Sequence, residues 1–101
     1  MNVHRELFEL SIYVRQKFIN VIDSATVDEL KQDGSLKYLL QYACDHCGIS
    51  SQRIGEIMEA SYATISRWKS GKATPHPQYR IEVIRKLRDA IESDMQDLKK
   101  P

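Results

Sequence analysis

The sequence predicts an all-α fold of five or six helices, and three observations predict it. Apolar residues recur at steps of three and four along nearly the whole chain. Hydroxyl residues and glycines punctuate these runs where helices start and stop. No alternating strand pattern and no hairpin signal is present.

The first element is expected from about Asn2 to Ile22. Val3, Leu7, Leu10, Val14 and Phe18 line one face, while Phe8, Ile12, Ile19 and Ile22 line an adjoining one. A helix with so wide an apolar surface has to be covered on two sides, by its own domain and by a partner chain. Thr26-Val27-Asp28-Glu29 has the form of a capping box and opens a short helix to about Gln32, ended by Asp33-Gly34. Ser35 is expected to cap the next helix, with Leu36, Leu39, Leu40, Ala43 and Cys47 on one face and Gly48 as the stop.

Ser50 caps a helix carrying Ile54, Ile57 and Met58, with Ile49 and Ile54 placed as a hydrophobic staple. Ser61 opens another, whose inward positions are Ile65 and Trp68 and whose end is Gly71. Pro77 then suits the first turn of a long last helix on Ile81, Ile84, Leu87, Ile91, Met95 and Leu98. Lys99 and Lys100 complement its dipole.

At 101 residues the chain has the size of one domain. It divides into an N-terminal helical extension over residues 1–33, for packing or dimerisation, and a body over residues 34–101 that includes the long last helix. No apolar run reaches the roughly 20 residues of a membrane span, and the start lacks the pattern of a signal peptide. A cytoplasmic address is expected, with the two cysteines reduced. The net charge of +1 hides a polarised chain. From Tyr62 to Arg88 there are seven bases (Arg67, Lys69, Lys72, Arg80, Arg85, Lys86, Arg88) against Glu82 alone. From Met1 to Gly34 there are six acids against four bases. Such clustering marks a partner of opposite charge, although Arg85, Lys86 and Arg88 read first as a solvated helix face.

Two short helices, Ser51–Met58 and Tyr62–Lys69, are separated by so few residues that they must cross steeply, with Gly55 as the small residue where they touch. Ile54, Met58, Ile65 and Trp68 seal the junction. The stretch "SQRIGEIMEASYATISRWKSGKATP", Ser51 to Pro75, resembles the lambda-repressor-like, Xre (Cro-type) helix-turn-helix family. The resemblance rests on Thr64-Ile65-Ser66-Arg67-Trp68 followed by Gly71 and Pro75, and extends from about Gly34 to Ile91. The sequence departs from the family at Glu59, where glycine is usual and a left-handed backbone costs about 1 kcal/mol. It departs also at Ser51-Gln52, where the leading helix often begins with glutamine.

The resemblance implies that residues 62–69 form a recognition helix in the DNA major groove. The family's base-reading positions fall on Tyr62, Ala63 and Arg67, with Thr64 and Ser66 beside them. Arg67 is the main reader, because a guanidinium fits guanine O6 and N7 with two hydrogen bonds worth about 1–3 kcal/mol of discrimination. Ser51, Gln52, Lys69, Ser70, Lys72 and Arg80 are expected at phosphates, where they position without reading. The function so implied is a sequence-specific double-stranded DNA-binding transcriptional regulator of bacterial or phage origin. It acts as a repressor and binds a palindromic operator as a homodimer. The alternative class is a protein-interaction module, such as the antitoxin of a toxin–antitoxin pair.

Other chemistry finds little footing. Cys44, His46 and Cys47 stand close together, but structural zinc needs four ligands, and His4 and His76 stand at no ligand spacing. The cysteines read as small core-facing residues. No Ser/His/Asp set, phosphate-cradling loop or paired carboxylates is present, so neither catalysis nor a cofactor or metal is expected.

Overall fold

A computed structural model describes residues 2–101, and these form six helices without a strand. They are α1 (Val3–Ser24), α2 (Val27–Lys31), α3 (Ser35–His46), α4 (Ser51–Met58), α5 (Tyr62–Ser70) and α6 (Pro77–Lys99). No helix among the described residues is long and apolar enough to cross a membrane.

Local chemistry sets most of the ends. Asn2 accepts from the Arg5 amide to open α1. Thr26 accepts from the Glu29 amide at 3.1 Å while the Glu29 carboxylate accepts from the Thr26 amide at 2.9 Å, the reciprocal box expected from the sequence. Ser50 and Ser61 cap α4 and α5 by accepting from the Arg53 and Thr64 amides, and Pro77 begins α6.

One cap differs from expectation. Gly34, at φ +91°, is the capping residue of α3, and the Ser35 hydroxyl turns back to donate to the Glu29 carbonyl at 2.8 Å. The hydroxyl satisfies a carbonyl at the end of α2, a demand only the folded chain creates.

The core is one cluster built on α6, which packs against α1, α2, α3 and α4. Ile81, Val83, Ile84, Leu87, Ile91 and Met95 of α6 meet Phe18, Ile19 and Ile22 of α1, Leu36, Leu40 and Ala43 of α3, and Ile54 and Met58 of α4. Cys47 is fully buried, and that burial pushes its thiol up to about 11, which leaves it an inert packing group near neutral pH.

The expected covering of α1 holds for its second half only. Asp23 accepts from Arg88, while Arg15 shares a cleft with Asp94, Asp97 and Leu98, so α1 and α6 run antiparallel. The turns of α1 before Ser11 therefore extend beyond the last turn of α6, and every residue from Asn2 to Leu10 is exposed.

Candidate nucleic-acid interface

α4 and α5 are joined by Glu59, Ala60 and Ser61, and two backbone features set how closely they meet. The Ala60 amide donates to the Gly55 carbonyl at 2.9 Å. A side-chain carbon on Gly55 would lie 2.7 Å from the Ala60 carbonyl oxygen, so glycine alone lets the turn fold against α4. Glu59 carries a left-handed backbone, φ 54° and ψ 40°, at the turn position where the sequence departs from glycine.

Ile65 and Trp68 fix the inner side of α5. Ile65 is fully buried, and Trp68 is buried with its ring edge-on to Tyr79 at 6.3 Å between centroids. From α3, the Gln41 amide donates to the Lys69 carbonyl at 3.0 Å, tying the last turn of α5 to the body.

With two positions pinned inward, helical spacing sends the rest outward. Tyr62 is 64% exposed, and Ala63, Ser66 and Arg67 are exposed on the same side. Thr64 is half-buried, its hydroxyl 2.9 Å from the capping hydroxyl of Ser61, so it serves the start of the helix. Lys69 is half-buried and Lys72 exposed. The Ser70 hydroxyl donates to the Arg67 carbonyl at 3.1 Å. At the start of α4, Gln52 is exposed, whereas Ser51 is half-buried with its hydroxyl 3.9 Å from the Cys44 sulfur.

Arg80 is the expectation the structure overturns. Its side chain is buried, with the guanidinium donating to the carbonyls of Lys31 and Pro75 and facing the Asp33 carboxylate at 3.3 Å. It holds the end of α2 against the segment after α5 and has no surface to offer a phosphate. Periodicity alone marked it as a polar position, because the partners it meets come from distant segments.

Ion pairing sorts the remaining bases. Arg53 makes a two-pronged bond to Asp94 at 2.6 and 2.8 Å, and Arg88 binds Asp23, Asp89 and Glu92. Both are committed within the fold. Arg67, Lys69, Lys72, Arg85 and Lys86 form no salt bridge among the described residues.

The fold adds a base that sequence spacing could not associate with α5. Lys37 of α3 lies over Gly71, where an added side-chain carbon would come within 3.0 Å of Lys37 Cδ. Its ammonium, 3.6 Å from the same point, thus stands at the C-terminal end of α5. No protein-family model, curated protein or solved structure matches this chain.

Proposed function

We propose that this chain is a sequence-specific double-stranded DNA-binding transcriptional regulator, acting by binding rather than catalysis, with α4 and α5 as its helix-turn-helix and α5 as its recognition helix. The observation that carries the reading is the division of α5. Ile65 and Trp68 are locked inward, while Tyr62, Ala63, Ser66 and Arg67 present an outward face on which Arg67 has no internal ion-pair partner. An unpaired guanidinium on a rigid helix suits a guanine edge. Lys72 and Lys37 stand at the C-terminal end of α5 and Gln52 is exposed at the start of α4, all groups suited to phosphates. The reading includes repression at a palindromic site by a homodimer, whose two recognition helices would stand about 34 Å apart.

The test is selection from a random duplex pool followed by binding of Arg67→Ala to the winning sequence. The variant is expected to lose about 1–3 kcal/mol of affinity and to relax preference at one base pair per half-site. Unchanged affinity and salt slope in Arg67→Ala would overturn the reading. The exposed apolar turns of α1 favour a protein contact in addition, and an antitoxin-like module is the alternative if no duplex is enriched.

A further inference from the structure

The first turns of α1 are helical yet cover nothing. Val3, Leu7, Leu10, Tyr13 and Val21 are each more than half exposed, an unusual concentration of large apolar side chains on one helix. Their order is more informative than their number. Val3, Leu7, Leu10, Val14, Lys17 and Val21 follow one another at steps of four, three, four, three and four, which is the seam of a coiled coil. Val14 is half-buried and Lys17 exposed, so the stripe is open at both ends and partly covered at Val14.

That series reads the same from either end. We infer that α1 pairs antiparallel with α1 of a second copy of this chain, about a two-fold axis level with Ile12. Val3 then faces Val21 of the other copy, Leu7 faces Lys17, and Leu10 faces Val14. The inference deepens the homodimer reading above by naming its surface.

Charge decides between parallel and antiparallel pairing of the two copies. A parallel pairing would set Lys17 against Lys17 inside an apolar seam. The antiparallel one brings each Lys17 ammonium to the Glu6 carboxylate of the other copy and lays its stem along Leu7. No like charges meet along the seam, because Arg5 and Glu9, paired to each other at 3.1 Å, lie on the outer side.

Shape agrees with that choice. Beside Val21 runs an apolar cleft of about 250 Å³ between α1 and α3, lined by Lys17, Phe18, Val21, Tyr38, Leu39 and Tyr42. The antiparallel register places the projecting first turn of the second copy over it, so one contact covers both the ridge and the cleft.

The experiment is sedimentation of the full chain over a wide concentration range without DNA, paired with crosslinking. The wild type is expected to dimerise, and Leu7→Glu with Leu10→Glu to be monomeric. These side chains are exposed in the monomer, so unchanged helicity and melting at low concentration confirm that the variant folds. Each substitution is expected to weaken association by about tenfold or more. Lys17→Glu weakens it through Glu6, and adding Glu6→Lys restores it. For orientation, Val3→Cys is expected to crosslink to Val21→Cys in a mixture but not to itself. A wild-type monomer at all concentrations overturns the seam and the homodimer together. A dimer that survives both leucine substitutions overturns the seam alone, and a Val3→Cys self-crosslink overturns the antiparallel register. Loss of dimerisation in the variants with intact duplex binding by a single half-site leaves the DNA reading standing separately.

Discussion

Gly55→Ala is the substitution whose effect the geometry determines most directly. The added methyl would sit 2.7 Å from the Ala60 carbonyl oxygen, well inside the roughly 3.3 Å at which carbon and oxygen make close favourable contact. The obstructing atom is backbone, and the same turn is held by the Ala60 amide on the Gly55 carbonyl at 2.9 Å. Relief therefore requires α5 to move away from α4, loosening Ile65, which lies 3.7 Å from the same point. Overpacking of this kind costs about 1–3 kcal/mol. Alanine's better helix propensity returns nearly 1 kcal/mol. Because the obstructing atom is backbone, the upper part of the overpacking range applies, about 2–3 kcal/mol, and the net expectation is a loss of about 1–2 kcal/mol, a fall in melting temperature of roughly 5–15 °C for a domain of this size. Urea unfolding followed by far-ultraviolet circular dichroism measures it, with the midpoint lowered and the slope unchanged. A Gly55→Ala protein as stable as the wild type would refute the claim that close approach demands glycine there.

Glu59→Gly acts at the same turn with opposite sign. It removes a left-handed strain of about 1–2 kcal/mol and gives back part through a freer unfolded chain, for a net gain of about 0.5 kcal/mol by denaturant titration. Arg80→Met strands the carbonyls of Lys31 and Pro75 and should cost about 2–4 kcal/mol of stability. At temperatures where the variant is folded its duplex-binding salt slope should stay as in the wild type, whereas Lys72→Ala should lower that slope by about 1. The Arg88 guanidinium bonded to Asp23 holds that carboxyl below its ordinary range, and the Thr26 amide does the same for Glu29. Depressed carboxyl pKa values mean that the unfolded state binds more protons, so their contribution is complete above the ordinary carboxyl range, near pH 4, and is lost as pH falls through the folded values. Asp23→Asn should flatten that acid limb in melting temperatures taken across the range, and an unchanged limb would show that the pair is uncoupled from folding.

What the sequence by itself determined is what depends on near neighbours. Thr26 with Glu29, Ser50, Ser61, Gly71 and Pro77 act within a turn or so of their own position, so the helix ends are legible without a fold. The inward placement of Ile65 and Trp68, and hence the outward face of Tyr62, Ala63 and Arg67, follows from the helical period alone. What only the tertiary structure decided is what depends on distant segments. Arg80 and Arg88 look alike as surface bases, and their difference comes from the Lys31 and Pro75 carbonyls in one case and Asp23 in the other. Lys37 joins the end of α5 because α3 packs there, and Ser35 abandons its own helix for a carbonyl of α2. The same holds for α1, whose apolar series is continuous in sequence but fully buried only at Phe18, Ile19 and Ile22. Periodicity states that a face is apolar; where the body ends, and so which part of that face stays exposed, is set by the lengths and packing of α3 and α6.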